Sequence, residues 1–216
     1  MEENTLSFAY DESGNLSSKN GRTFVNEGWK LTTVKNLDGS VQSSFDYSLD
    51  GNLTGEKDGS GSPKRAMKYD IRGRLIEMDG TTFTYDVVDR LIKTVSPTGE
   101  VTIYPNQMHE SRRMSVYETH TSYIAHGYRC ASLSTESMFG IKVREAETHY
   151  FHNDHLGSTI AASDVSGNII TLYQYDSFGK ASIYGPDVAR YKFQNKELFG
   201  SIYYFGARFY DPDVRK

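Results

Sequence analysis

One cysteine in 216 residues, Cys130, leaves no partner for an internal disulfide and no second thiolate for a zinc site, so it reads as a small strand residue. A surplus of positive charge is missing as well. Lys and Arg number 24 against 28 Asp and Glu, a net charge of −4. That balance excludes the basic stripe that tracks a phosphate backbone, and nucleic acid with it. The opening stretch, Met1 to Leu16, carries Glu2, Glu3, Asp11 and Glu12 where a secretory leader needs basic and then apolar residues, so no signal peptide is expected. The longest clearly apolar run, Ile202 to Ala207, is far short of the roughly 20 residues that cross a bilayer, and no membrane span is expected. Aliphatic residues are scarce, with hydrophobic content of 37% and a mean hydropathy of −0.59. What is abundant is aromatic: 16 Tyr and 11 Phe, an inventory that suits β-sheet.

The tyrosines belong to a repeat. Tyr10-Asp11-x-x-Gly14-Asn15-Leu16 returns as Tyr69-Asp70-x-x-Gly73-Arg74-Leu75. Degraded copies start at Tyr47 (Ser48, Gly51, Asn52, Leu53), at Tyr85 (Asp86, Asp89, Arg90, Leu91) and at Tyr175 (Asp176, Gly179, Lys180, Ala181). Irregular spacing fits hairpins of varying length better than a solenoid of fixed rung. The Asp carboxylate can accept a backbone N–H two residues on and open a turn. The Gly supplies the positive φ that such a loop needs, and Asp89 replaces it with one of the few other residues enriched there. Leu then begins the return strand. Two residues before each Tyr stands Phe8, Phe45, Met67, Phe83 or Tyr173, expected on the same strand face, so that rings stack along one side. Ladder tyrosines are favoured over catalytic ones, because a ligand site has no use for five copies.

The run from Gly55 to Lys64, rich in Gly and Ser, reads as a loop. Residues 105–148 are the least repetitive, but Met114 with Val116 and Tyr123 with Ala125 alternate with polar neighbours as half-buried strands do. No stretch predicts an amphipathic helix of 12 residues or more, and the expectation is an all-β chain from end to end.

The last third carries an ordered series: His149-Tyr150-Phe151-His152-Asn153-Asp154-His155-Leu156-Gly157-Ser158-Thr159, then Asp164-x-x-Gly167-Asn168 and Tyr173-x-Tyr175-Asp176-x-Phe178-Gly179. Tyr191-x-Phe193-x-x-Lys196-Glu197 follows, then Tyr203-Tyr204-x-Gly206-Ala207-Arg208-Phe209-Tyr210-Asp211-Pro212. This series resembles the Rhs repeat-associated core domain, and the upstream motifs resemble the YD repeats of the same family. The division expected is a YD-repeat region at 1–148 and a core-domain region at 149–216, continuous with the same sheet. The resemblance implies YD-repeat hairpins forming part of a large spiralling β-sheet shell. In that family the shell encloses a C-terminal polypeptide, usually a toxin, in bacterial proteins that are secreted or stand on the cell surface. Its implied partners are the remaining shell and the enclosed segment. Related shells also serve adhesion, and exposed tyrosines with Trp29 could stack on sugar rings, which keeps carbohydrate as the alternative partner. The family's self-cleavage motifs would lie beyond Lys216, so no role passes to Asp211 or Asp213.

Chemistry beyond that is not expected. His149, His152 and His155 alternate in direction on a strand and make no compact ligand set, and Asn153, Asp154 and Gly157 argue for a turn pinned by polar contacts. His109, His120 and His126 are isolated, and no Gly-x-Ser-x-Gly elbow is present. The expectation is no catalytic residue, no metal and no cofactor.

Overall fold

A computed structural model describes residues 7–126, 128–206 and 208–214. The chain forms two compact units, Met1–Asp79 and Gly80–Lys216. The first holds β1 (Phe8–Tyr10), β2 (Leu16–Lys19), β3 (Arg22–Glu27), β4 (Lys30–Lys35), β5 (Val41–Tyr47), β6 (Leu53–Asp58), β7 (Pro63–Tyr69) and β8 (Leu75–Met78). Each pairs antiparallel with the strand that follows it, a plain meander. Its buried side is Leu16, Phe24, Leu31, Val34, Phe45, Met67, Leu75 and Met78, set among half-exposed polar residues.

The second unit continues the pattern through β9 (Thr81–Tyr85), β10 (Leu91–Val95), β11 (Val101–Asn106), β12 (His109–Met114) and β13 (Tyr117–His126). It runs on through β14 (Tyr128–Met138), β15 (Ile141–Asn153), β16 (Thr159–Ser163), β17 (Ile169–Tyr175) and β18 (Ala181–Tyr184). These ten also pair in sequence order. A small sheet of β19 (Glu197–Phe199), β20 (Ile202–Tyr204) and β21 (Phe209–Tyr210) ends the chain. The only helical stretch among the described residues is one turn, Phe193–Asn195. Position 148/149, where the sequence changes character, falls inside β15.

The turn chemistry explains why these sequences make hairpins. In the first motif Asp11 N–H donates to Asn15 C=O at 2.8 Å and Gly14 N–H donates to Asp11 C=O at 2.9 Å. Asp11 Oδ1 accepts the N–H groups of Ser13 (2.9 Å) and Asn15 (2.8 Å), so one carboxylate oxygen holds both sides of the loop. Gly14 sits at φ 79°, where a Cβ is disfavoured, and Asp89 takes the same left-handed place in the fourth motif at φ 65°. Tyr and Leu face each other across every copy: Tyr10 and Leu16, Tyr47 and Leu53, Tyr69 and Leu75, Tyr85 and Leu91, Tyr175 and Ala181.

Among the described residues this turn occurs eleven times, opening at Asp11, Asn36, Ser48, Asp58, Asp70, Asp86, Ser96, Asp154, Asp164, Asp176 and Lys192. Five of these have no preceding tyrosine, and the turn at Lys192 follows Tyr191 but has Asn195 (φ 56°) in place of the glycine and no capping carboxylate, which is why a reading anchored on Tyr, Asp and Gly finds five. Eight are followed, six residues after the opening residue, by a register shift that leaves one residue unpaired. A bulge bends its strand and strengthens the right-handed twist, so each hairpin adds curvature of the same hand.

Three local expectations need correcting. The Gly55–Lys64 run is mostly strand: Gly55 lies in β6, Pro63 opens β7, and only Gly59–Ser62 turn, because Asp58 supplies the same carboxylate cap. Val116 is in a tight turn with Ser115 (φ 57°), not on a strand. The rings of the motif do not form one ladder either. Phe45, Met67, Phe83 and Tyr173 are buried, but Tyr10 is 56% exposed while Tyr47, Tyr69, Tyr85 and Tyr175 are half-buried. Of the apolar run at 202–207, β20 covers the first three residues, and Ala207 lies outside the described residues, as does the His126 side chain.

The turn aspartates should register in acid. Hydrogen bonds from Arg90 N–H to Asp86, from the Asn168 side chain to Asp164 and from the Ser60 hydroxyl to Asp58 hold these carboxyls below the usual carboxylate range. Since their folded values are depressed, their support is present above the unfolded value of about 3.9 and is lost as pH falls through the depressed values. Carboxyl NMR titration should place the midpoints of Asp58, Asp86 and Asp164 below about 3.9. Midpoints at the unfolded value would mean that the caps do not persist in solution.

Candidate functional site

The feature of the second unit that does more than extend a meander is the segment after β18, residues 186–214. It folds back onto the sheet, and the sheet holds it largely by its backbone. The Tyr173 hydroxyl accepts the N–H groups of Ala189 (2.9 Å) and Val188 (3.2 Å). Thr171 Oγ1 donates to Pro186 C=O at 2.5 Å and Thr159 Oγ1 donates to Tyr191 C=O at 3.0 Å. Gln194 N–H donates to Ser158 Oγ at 3.2 Å, and Thr159 N–H to Lys192 C=O at 3.2 Å. Residues 158, 159, 171 and 173 are all buried. Alternation along β17 puts Thr171 and Tyr173 on one face, and with Thr159 at the start of β16 and Ser158 just ahead of it they supply hydroxyls to an irregular chain whose backbone would otherwise lack partners. Burial pushes the Tyr173 phenol up to about 12, so the hydroxyl stays protonated at any ordinary pH.

Aromatic rings hold the rest of the segment. Phe83 meets Phe199 at 5.3 Å and Phe209 at 5.2 Å between centroids, both edge-on, and Tyr85 meets Tyr204 at 6.4 Å. Tyr203 is fully buried and donates its hydroxyl hydrogen bond to Gly179 C=O at 2.9 Å, while Tyr210 donates to Phe178 C=O at 3.0 Å. Gly179 (φ 89°) lies flat beneath Phe193, and Gly157 (φ 86°) beneath Tyr128; a Cβ at either would overlap the ring above it. Gly179 thus serves the docking as well as its own turn, whereas Gly157 seats a ring of β14.

At the centre is a buried group of charges. Arg190 Nε donates to Glu197 Oε1, and Arg190 Nη2 donates to the Tyr104 hydroxyl at 2.7 Å, which itself donates to Glu197 Oε1 at 2.8 Å. Glu110 Oε2 lies 3.4 Å from Arg190 Nε, near enough to pair in charge, yet neither Glu110 oxygen accepts a hydrogen bond among the described residues. Glu110 and Glu197 are 3% and 4% exposed. The Arg129 guanidinium stacks on Tyr191 at 3.4 Å from the ring centroid, and Tyr191 stands edge-on to Tyr123 at 5.2 Å. Burial pushes the Glu197 carboxyl above its ordinary range, against the pull of Arg190. Burial opposes the charge on Arg190, but Glu197, Tyr104 and Glu110 outweigh it and hold the guanidinium proton more firmly.

The residues singled out in the sequence fall into two groups. Tyr10, Asp11, Gly14, Tyr69, Asp70, Gly73, Tyr85, Asp86, Asp154, Tyr175 and Asp176 build hairpins, and Tyr175 also donates to Thr159 C=O at 2.7 Å. Gly179, Tyr210, Asp211 and Pro212 belong to the docked segment or its seat, with Asp211 and Pro212 buried. Gly206 (φ 92°) and Arg208 close its last hairpin, where Phe205 N–H donates to Arg208 C=O at 2.8 Å. Asp213 N–H donates to Asp211 Oδ1, and the Asp213 carboxylate pairs with Lys180 at 2.7 Å, so the two aspartates do not share a proton. His152 Nε2 meets Ser163 Oγ at 3.0 Å, His149 approaches Glu147 and His155 sits in the Asp154 turn; no three metal-ligating side chains converge among the described residues. Trp29 stands edge-on to Tyr47 at 6.1 Å, its ring 59% exposed. Tyr104, Glu110, Arg129 and Arg190 carry no motif and are legible only once strands β11 to β14 are assembled.

Tyrosine-anchored hairpins in unbroken sequence order match a known architecture, and a family model described as the Teneurin YD-shell covers residues 1–185. The chain belongs to the Teneurin YD-shell family. Solved structures agree in fold: a crystal structure of TcdB2-TccC3 superposes with a TM-score of 0.64 at 14% identity, covering 97% of this chain and 14% of that one. A structure of the Photorhabdus luminescens Tc holotoxin pore with a mutated TccC3 gives 0.60 at 14% identity, over 97% and 14% of the two chains. TcdB2-TccC3 without its hypervariable C-terminal region gives 0.59 at 15%, with the same coverage. This YD-shell chain thus spans about one seventh of the length of the structures it matches. No curated protein matches it in sequence. Among the described residues no helix is long and apolar enough to cross a membrane.

Proposed function

We propose that this chain is a section of the wall of an Rhs-type polymorphic-toxin protein, and that the wall's work is to enclose a C-terminal toxin polypeptide. The observation that carries this reading is the unbroken series of sequence-ordered antiparallel hairpins that a YD-shell family model matches over residues 1–185. The superposition on TcdB2-TccC3 with and without a hypervariable C-terminal region supports it, since the matched β-structure persists in both. The role is steric and mechanical, and the bacterial secreted or cell-surface setting follows from the same reading.

The test joins the chain to further YD-repeat sequence upstream and an unfolded reporter polypeptide downstream. The reporter should survive protease under conditions that digest it when free. Digestion of the joined reporter at the free rate would overturn the enclosing role.

A further inference from the structure

The charges beneath the docked segment do not balance. Within ion-pair reach of one another stand one half-buried guanidinium, Arg190, and two carboxylates removed from water, Glu110 and Glu197. Arg190 and Glu197 ride on the docked segment, while Glu110 comes from β12 and Tyr104 from β11. Arg190 gives its hydrogen bonds to Glu197 and Tyr104, leaving Glu110 facing the same guanidinium with both oxygens empty. Arg112 stands two residues from Glu110 on the same face of β12, but its buried Nε makes no hydrogen bond among the described residues, and the remaining charged or titratable neighbours are engaged elsewhere. Tyr123 of β13 and Tyr191 are held neutral by burial. Arg129 of β14 is spent on the Tyr191 ring, Gln107 C=O (2.6 Å) and Asn195 Oδ1 (3.2 Å). Lys192 is paired with Asp187 at 3.1 Å.

We propose that Glu110, Arg190 and Glu197 form a proton-operated latch: docking of residues 186–199 onto strands β11 to β14 takes up a proton at Glu197, favoured by the unbonded Glu110 carboxylate beside the same guanidinium, and is tighter in mild acid than at neutral pH. The physical ground is that a buried carboxylate without hydrogen bonds is costly, and a proton removes the charge at no steric change. Glu110 enters as the second negative charge on one cation, which disfavours the ionised form of Glu197. Burial of Glu197 raises its carboxyl, which gives the sign. A carboxyl raised in the docked state lends its full support below the undocked value of about 4.3, and that support is lost as pH rises through the raised value.

The experiment is amide hydrogen exchange on the full chain from pH 5 to pH 7.5, read as protection factors so that the intrinsic pH dependence of exchange divides out. Protection of residues 188–199 should fall about two- to threefold between pH 5 and 7.5, as it would if the docked state held the proton about ten times more tightly than the undocked one, whose value is about 4.3. Protection of β3 and β4 should not change. In Glu110→Gln, which leaves the Arg190–Glu197 pair intact and neutral overall, protection should be at least that of the wild type at pH 7.5 and level across the range. Glu197→Gln should flatten the profile too, with lower protection throughout because the Tyr104 and Arg190 bonds weaken. A flat wild-type profile, or a Glu110→Gln profile that keeps the wild-type slope, would overturn the latch and leave a structural ion pair.

Discussion

Gly179→Val is expected to destabilise the second unit by about 3 to 5 kcal/mol, the sum of a backbone cost and an overpacking cost. The backbone cost arises because Gly179 sits at φ 89°, a conformation that β-branched residues resist. The overpacking cost arises because a Cβ would overlap the Phe193 ring. That ring has little room to retreat: Tyr175 lies 5.8 Å from it and Tyr203 5.9 Å, centroid to centroid. Gly167→Val is the control, with φ 84° and nothing within reach of the new side chain, and should cost only the backbone share of about 1 to 3 kcal/mol. Urea midpoints of the two variants measure the difference. If they coincide, Phe193 yields freely and the segment is not seated on that turn.

Arg190→Met should be more damaging still at neutral pH, about 3 to 5 kcal/mol from the charge alone, because it strands Glu110 and Glu197 in a buried site without their counter-ion. Acid should restore much of the loss. Glu197, raised by burial, would lose the guanidinium that pulls it down, so the penalty is greatest above its raised value and shrinks as pH falls through it. Chemical denaturation at pH 7.5 and pH 5 checks the sign. A deficit that is the same at both would show that Arg190 acts by packing, with its aliphatic stem and not its charge.

The hairpins were legible in the sequence for a local reason. Everything that makes the Asp70 turn lies within the residues from Asp70 to Arg74: a carboxylate that caps two N–H groups, and a glycine that takes a positive φ. Such a device is written out in consecutive letters. The turns at Asn36 and Ser96 were harder to read because the anchor tyrosine is absent and the opening residue differs, although the glycine three positions on is the same. The bulges left no mark at all, since the unpaired residue is Ser17 in one hairpin, Ile76 in another and Lys64 in a third. The candidate site was half legible. Tyr191 and Glu197 stand in a motif, but their counterparts Tyr104, Glu110 and Arg129 are ordinary polar residues of strands, and only register brings them together. Tyr104 is 93 positions from Glu197, a separation over which sequence carries no spacing signal.

That same contrast of near and far partners sets an order of assembly. Every strand of the two meanders is closed by its immediate successor, so the pairing costs little loop entropy and can proceed as the chain leaves the ribosome, hairpin upon hairpin. The docked segment is different. Its bonds from Arg190 and Glu197 to Tyr104 reach back 86 and 93 residues, and they have nothing to grip until β11 to β17 are in place. The wall is therefore finished before residues 186–214 can settle onto it, and that segment is the last piece of the second unit to arrive.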